Sequence, residues 1–257
     1  MSAMRKTRST HLPAPYLKRL WVREDANLGE DYPFNLPWLD REFSLDFTTP
    51  VTIILGENGT GKSTLIEAVA ALCGYDEAGG GKGYMPVDHS HALDRSGALL
   101  ANAFRAAWLP KVTAGWFFRA ESFFSVARYL DEAARDANAP APDFLSWSHG
   151  EGFVRFFEER MSRQGIYFLD EPESALSPKR QLELLRLLHN IQGSANAQII
   201  MATHSPILMA VPGARLLEIT SRGVFNTNLR NTEHFKLYQD FTIDPDDFVA
   251  RALSDQI

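Results

Sequence analysis

Residues 51–63 decide the fold and read V-T-I-I-L-G-E-N-G-T-G-K-S. Val51–Leu55 is a continuous apolar run, which is typical of a strand buried on both faces of a parallel sheet. Gly56 ends this run, and residues 63–72 favour a helix. The segment between strand and helix fits the pattern G-x-x-x-x-G-K-[ST], which in this context predicts a phosphate-binding loop.

The residue types of this loop indicate its chemistry. Glycines let the backbone curl, so that N–H groups at the start of the helix point inward at phosphate oxygens. Lys62 would bring positive charge to the β- and γ-phosphates, and the Ser63 hydroxyl would bind Mg²⁺. A glycine-rich turn that merely contains Lys-Ser is the alternative. The predicted nucleotide contacts are Gly56, Asn58, Gly59, Thr60, Gly61, Lys62, Ser63 and Thr64.

A second apolar run ends in two acids and reads I-Y-F-L-D-E at residues 166–171. A buried strand brings such carboxylates to its C-terminal edge, where ligands bind in open α/β sheets. We expect Asp170 to hold Mg²⁺ through water and Glu171 to be the general base that activates the attacking water. Many strands end in acids that only cap the next helix, so this prediction depends on its pairing with the phosphate loop.

Strands and helices alternate along the chain, which predicts an α/β fold with a parallel sheet covered on both faces. An antiparallel β entry is expected from the strand-like segments 16–22 and 43–47. The middle of the chain predicts a glycine-rich loop and helices, over 74–97, 99–108 and 121–137, with an aromatic segment at 116–118. The second half predicts, in order, a helix over 150–162, a strand over 166–169, a helix over 178–191, and strands over 198–202 and 215–220.

Taken together, these motifs resemble the ATP-binding cassette (ABC) ATPases, and within them the soluble RecF/SMC-like branch of AAA-type ATPases. The segment D-E-P-E-S-A-L at 170–176 is similar to the family's Walker B motif followed by its D-loop. The segment S-H-G-E at 148–151 stands where the family has its signature, although Trp147 and His149 replace the usual Leu and Gly. T-H-S-P at 203–206 resembles the switch-histidine segment.

The resemblance implies a P-loop NTPase fold and an active unit that is a head-to-tail, ATP-dependent homodimer. In such a dimer, Ser148 and Gly150 would contact the γ-phosphate bound to the opposite protomer. His204 would hydrogen-bond the γ-phosphate and hold the attacking water, as a catalytic residue beside Glu171. From the residues alone, a plain Ser N-cap and a structural histidine are the alternatives.

One element of that family is absent, because residues 62–148 contain no glutamine that could sense Mg²⁺ and the γ-phosphate. Glu121 is our candidate replacement as a metal-approaching carboxylate, and an acid at a helix start is an equally good interpretation. Arg119 is a weaker candidate for a phosphate contact. Three aromatic residues could stack on adenine, and the sequence does not choose among them: Trp38, Trp116 and Tyr84.

The composition is that of an ordinary globular protein: 257 residues, 45% hydrophobic and 23% charged, with a single cysteine. This length predicts one ATPase domain over residues 1–257. Its core would span about 16–75 and 164–225, and a loop and compact helical insertion would occupy about 76–163 and end in the signature helix. Without a disulfide framework, a signal peptide or an apolar run long enough to cross a bilayer, the chain is expected in the cytoplasm.

The net charge of −6 argues against a protein that coats nucleic acid through bulk positive charge. Residues 1–23 are nevertheless basic and residues 231–257 acidic, and either could be a solvated tail. Three roles remain open for the expected Mg²⁺–ATP hydrolysis. They are a RecF/SMC-like function on DNA or in defence, the ATP-binding subunit of a membrane transporter, and a slow nucleotide-dependent module that binds a protein partner.

Overall fold

The computed structural model describes residues 12–77, 79–82, 96–112, 114–119 and 149–254, with the backbone alone over 149–151. The expected helix over 121–137 and most of the glycine-rich loop lie outside these residues. So do three candidate site residues: Ser148, Glu121 and Tyr84.

The described ranges contain ten strands and seven α-helices. The strands are β1 (Leu17–Val22), β2 (Ser44–Asp46), β3 (Val51–Leu55), β4 (Gly80–Gly81), β5 (Phe104–Trp108), β6 (Gly115–Arg119), β7 (Gly165–Asp170), β8 (Ala197–Ala202), β9 (Arg215–Thr220) and β10 (Gly223–Thr227). The helices are α1 (Lys62–Leu72), α2 (Ser96–Ala103), α3 (His149–Met161), α4 (Pro178–Ser194), α5 (Pro206–Met209), α6 (Glu233–Ile243) and α7 (Pro245–Leu253). Short 3₁₀ turns cover Pro172–Ala175 and Leu229–Asn231.

The larger sheet has seven strands in the order β10-β9-β3-β8-β7-β6-β4. Its five central strands are parallel, and only β10 and β4 at the edges pair antiparallel. Every residue of β3, β7 and β8 is buried. Alternate residues of these strands face two separate hydrophobic clusters, one on each side of the sheet. The expected α/β fold with a mostly parallel sheet is therefore confirmed.

The smaller sheet has the order β2-β1-β5 and is antiparallel, as expected for the β entry. Its third strand corrects one sequence prediction, because the helix expected over 99–108 ends at Ala103 and continues as β5. Residues 104–108 pair with β1 along its whole length. The backbone hydrogen bonds gained there outweigh the helix preference of alanines within the segment, since tertiary context overrides intrinsic propensity.

The aromatic segment at 116–118 also belongs to a strand. It forms β6, which runs parallel to β7, and all three aromatic side chains are buried. Gly115 begins this strand with φ of 148°, and a Cβ there would lie 1.8 Å from the carbonyl oxygen of Ile166. Only glycine allows this approach. The region expected as a helical insertion thus contributes a central strand to the larger sheet.

The acidic C-terminal segment forms two helices over the residues described, and neither helix has a buried residue. The Thr232 hydroxyl caps α6 and the Asp244 carboxylate caps α7. Arg251 on α7 pairs with Asp240 and Asp247 at 2.8 Å. These two helices nevertheless leave several large apolar side chains exposed: Leu237, Tyr238, Phe241, Ile243, Val249 and Leu253.

Across the described residues, we find no helix with the length and apolar character needed to span a membrane.

Gln198 on β8 joins the two sheets. Its Oε1 accepts hydrogen bonds from the backbone N–H groups of Tyr16 and Leu17, both at 2.8 Å. Its Nε2 donates to the Leu17 carbonyl oxygen at 3.1 Å. Because all of these groups are buried, one amide side chain satisfies three backbone groups that water cannot reach.

Replacing Gln198 with leucine should destabilise the protein by about 3 kcal/mol, because it leaves buried backbone groups without partners. The free energy of unfolding in urea measures the effect. Gln239→Leu on the exposed face of α6 is the matched control and should change this energy by less than about 0.5 kcal/mol. Equal stability of the two variants would contradict the stabilising role assigned to Gln198.

Candidate nucleotide-binding site

The loop between β3 and α1 has a backbone that depends on glycine at two positions. Gly56 has φ of 148°, and a Cβ there would lie 2.5 Å from the Ile219 carbonyl oxygen. Gly61 is left-handed with φ of 88° and is the N-cap of α1. Its Cβ would lie 2.7 Å from a Leu36 methyl carbon. The two ends of the loop therefore pack closely against Ile219 and Leu36, while its tip is exposed at Glu57, Asn58 and Gly59.

Hydrogen bonds hold the loop in this shape. The indole N–H of Trp38 donates to the Thr60 carbonyl oxygen at 2.8 Å. The carbonyl oxygen of Glu57 accepts from the Thr60 hydroxyl at 2.8 Å and from the Lys62 ammonium at 3.0 Å. Thr64, two residues after Lys62, shares a hydrogen bond between its hydroxyl and that of Tyr32. Contacts within the chain thus define the curved shape of the loop.

Lys62 places a buried positive charge at the centre of the site. Burial lowers the pKa of its ammonium, while the surrounding carboxylates of Glu171, Asp170, Glu57 and Glu173 act in the opposite direction. A cation that is poorly hydrated and close to an open loop is well suited to an anionic ligand.

Ser63 and Asp170 meet where the first turn of α1 faces the carboxyl end of β7. The Ser63 hydroxyl donates to Asp170 Oδ1 at 3.0 Å. A hydroxyl and a carboxylate are hard oxygen donors, which suits Mg²⁺ when phosphate oxygens and water complete its coordination. Among the residues described, no group of three His, Cys, Asp or Glu side chains is placed to hold a metal ion. The pair fits Mg²⁺ that is bound partly by the substrate.

Arg119 lies beside this pair, at the end of β6, and is held by carboxylates. Its Nη1 contacts Glu67 Oε1 at 2.7 Å, and its Nε lies 3.9 Å from Asp170 Oδ2. Burial raises the pKa of the Glu67 carboxyl to about 7, although Arg119 opposes this shift. Nη1 also donates to the Glu77 carbonyl oxygen at 3.1 Å. The guanidinium of Arg119, our weaker candidate for a phosphate contact, is therefore already paired with carboxylates beside the expected Mg²⁺ site.

Glu67 was not predicted from the sequence. It lies on α1 between Ile66 and Ala68, and the other residues of the buried stretch 65–70 are apolar. An acid in such a run requires a partner, because an isolated buried carboxylate is costly. This was the signal that could have identified it, whereas the partner itself is distant in sequence.

Glu171 follows directly after β7 and has an unusual backbone. Its φ and ψ are 47° and 54°, a left-handed conformation that non-glycine residues seldom adopt. Its N–H donates to the Ala202 carbonyl oxygen at 3.1 Å, which ties it to the end of β8. Such strain costs on the order of 1–3 kcal/mol and is concentrated at functional sites. Here it aims the carboxylate at His204, with Oε1 3.5 Å from Nε2.

His204 follows β8 and is held on two sides. Its backbone N–H donates to Glu173 Oε1 at 2.5 Å, and its Nδ1 lies 2.9 Å from Nε2 of His234 on α6. Burial lowers the pKa of the His204 imidazole, and the nearby Lys62 lowers it further. Both effects favour the neutral ring, and Nε2 lies 3.5 Å from the carboxylate of Glu171.

Other predicted contacts have different outcomes. Gly150 lies in the first turn of α3, whose Phe153, Phe156 and Phe157 are buried. Trp38 and Trp116 are only 4% and 6% exposed. Neither ring has a free face for adenine, so these two stacking candidates are wrong.

Two protein-family models match parts of this chain. A family model described as "AAA domain" matches residues 34–97, which include the whole loop. A second, described as "AAA domain, putative AbiEii toxin, Type IV TA system", matches residues 123–210, which include Asp170, Glu171 and His204. No match was found among curated proteins.

Solved structures resemble the chain at low identity. CbiO1 from Clostridium perfringens, part of the ABC transporter complex CbiONQ, is 16% identical over 92% of this chain and 99% of its own, with a TM-score of 0.48. The SMC head domain from Thermotoga maritima is 17% identical over 83% and 99%, with a TM-score of 0.43. The dimeric bacterial ABC transporter cassette MJ0796 is 16% identical over 75% and 91%, with a TM-score of 0.38.

The fold, the loop and the two AAA-domain matches define a P-loop ATPase. ABC transporter ATPases and an SMC head domain are among its structural neighbours. With TM-scores under 0.5, these likenesses carry no argument about activity, which depends on the residues of the site.

Two glycines of the loop provide a matched test of its packing. Gly61→Ala should abolish ATP binding and lower the melting temperature, because the new Cβ would meet Leu36 and Trp38. Gly59→Ala has a similar φ of 78° with nothing within 4 Å of the new Cβ, so only the backbone strain applies. It should weaken binding by less than about tenfold, since such strain costs roughly 1 kcal/mol. Fluorescent-nucleotide titration measures both, and equal effects would contradict the packing argument.

Proposed function

We propose that this chain, as one ATPase domain in the cytoplasm, binds Mg²⁺–ATP, hydrolyses it to ADP and phosphate, and cycles between separate protomers and an ATP-sandwiched homodimer. The observation that carries the proposal is that a lysine and two side-chain pairs meet at one edge of the sheet. Lys62 follows the loop as the first residue of α1, Ser63 contacts Asp170 at 3.0 Å, and Glu171 lies 3.5 Å from His204.

Binding comes first in this mechanism. The backbone N–H groups at the start of α1 and the Lys62 ammonium would hold the β- and γ-phosphates, with Asn58, Gly59 and Thr60 around them. Bound by Ser63, Asp170 and substrate oxygens, Mg²⁺ would supply charge neutralisation at the phosphates. Glu121 is retained as the proposed third metal-side residue.

Hydrolysis then depends on the pair at the ends of β7 and β8. The Glu171 carboxylate would accept a proton from water and orient it for attack on the γ-phosphate. In the neutral tautomer with its proton on Nε2, His204 would donate to a γ-phosphate oxygen. The left-handed backbone of Glu171 and its bond to Ala202 restrict the position of the carboxylate, so little reorganisation would be needed in the reaction.

In the proposed dimer, residues of one protomer would complete the nucleotide site of the other. Gly150 begins a helix whose buried aromatic face fixes its orientation on the protomer. A helix N-terminus attracts phosphate, and with the Ser148 hydroxyl it would contact ATP bound to the opposite protomer. This part of the proposal is supported by the family resemblance of residues 148–151.

The process served by the ATPase is proposed to be linked to DNA or to defence. The description of one matching family model names a toxin of a type IV TA system. Lys18 and Arg19 on β1 continue the basic N-terminal segment onto the folded domain, and Arg19 is exposed. A local basic surface can bind DNA although the protein as a whole is acidic.

Glu171→Gln should retain ATP binding and lower turnover by at least about 100-fold, because the amide cannot accept the proton. The variant should also accumulate an ATP-bound dimer, measured by light scattering at saturating Mg²⁺–ATP. Glu183→Gln on α4 is the control and should behave as the parent. Turnover at the parental rate would refute the base assignment, and a persistent monomer would refute the dimer with its Ser148 and Gly150 contacts.

Duplex DNA should raise the rate of ATP hydrolysis at low salt, and the effect should disappear as salt increases, since phosphate contacts release counterions. Steady-state phosphate release with and without a linear duplex measures this. Polyglutamate of equal charge is the control for a general polyanion effect. No stimulation at about 50 mM salt, or equal stimulation by polyglutamate, would contradict a DNA-linked role.

A further inference from the structure

Helix α6, near the C-terminus, contacts the proposed catalytic pair of Glu171 and His204 through His234. Nε2 of His234 lies 2.9 Å from Nδ1 of His204, and the two ring centroids are 5.0 Å apart. These residues come from different elements, so their contact is a tertiary one. It is absent from the sequence motifs, which end at Pro206.

The position of His234 is fixed by its own part of the chain. Thr232 is fully buried, and its hydroxyl donates to the Leu229 carbonyl oxygen at 2.7 Å and accepts from the Phe235 N–H at 3.2 Å. Leu229 packs on the core cluster that contains Met201 and Leu208. The first turn of α6 is therefore anchored to the same core that supports β8.

The surroundings of His204 determine where its single imidazole proton lies. Nε2 is buried and has no hydrogen-bond partner among the described residues; the Glu171 carboxylate lies 3.5 Å away, and the positive charge of Lys62 also acts on the ring. A carboxylate can only accept, so this side of the ring favours an N–H at Nε2. With the proton on Nε2, Nδ1 has a lone pair and must accept a hydrogen bond. Only a donor at His234 Nε2 satisfies the 2.9 Å contact.

We infer that His234 is a positioning residue for hydrolysis: its Nε2–H donates to Nδ1 of His204 and so keeps the proton of His204 on Nε2. The inference rests on the proposed function of Glu171 and His204. In the opposite tautomer, Nε2 of His204 would present a lone pair to a γ-phosphate oxygen, and the two acceptors would repel each other. His234 thus selects the tautomer that can donate to the substrate, without touching the substrate itself.

The experiment compares His234→Ala with His234→Gln, because the glutamine amide can still donate at a similar reach. Nitrogen-15 NMR of the histidine rings in the nucleotide-free protein reports the tautomer of His204 directly. We expect the Nε2–H form in the parent and in His234→Gln, and a mixture in His234→Ala. Steady-state kinetics should show kcat about tenfold lower in His234→Ala, KM within about twofold, and recovery in His234→Gln. His189→Ala, an exposed histidine on α4, is the control and should match the parent.

Two results would overturn the inference. One is a proton on Nδ1 of His204 in the parent protein. The other is an unchanged tautomer and kcat in His234→Ala. A parent protein that shows the Nε2–H form but hydrolyses no ATP would refute the proposed function while supporting the contact between the two rings. A structural defect alone would lower the melting temperature of His234→Ala and His234→Gln together, without recovery in the second, and would also overturn it.

Discussion

The structure depends on one constraint, which is that strands buried on both faces must find all their hydrogen-bond partners in neighbouring strands. β3, β8 and β7 meet it by running parallel and in register, with Ile54 and Asp170 both level with Ala202. Their carboxyl ends therefore lie at one edge of the sheet. The phosphate loop, the acids at the end of β7 and just after it, and the histidine after β8 all lie there, so the pairing of apolar residues brings the polar groups together.

Charge at this edge is balanced within the protein. Lys62 is surrounded by carboxylates and Arg119 is held by Glu67, which leaves each charge partly compensated when the substrate is absent. Buried ions without partners would be costly, and a site for a highly charged ligand cannot avoid them. The carboxylates offset the cost of burying Lys62 and Arg119, and the two cations in turn hold the carboxylates in position.

Much of this site could be predicted because its signals are local. The loop motif, the apolar strand before it and the acids after β7 each occupy a few adjacent residues, and the structure brings Ser63 and Asp170 together as expected. What sequence reasoning missed is non-local. β5 is a strand because β1 lies beside it, Arg119 faces Glu67 across two elements, and His234 reaches His204 from the last part of the chain. Helix preference and residue type do not report such contacts, which depend on how the elements pack.

The amide of Gln198 has a mechanical consequence. Through it, the first residues of β1 are bonded to the strand that carries His204 at its far end. Bending between the sheets at this seam would break three buried hydrogen bonds at once. The β entry, which carries the basic residues of β1, is therefore tied directly to the strand that leads to His204.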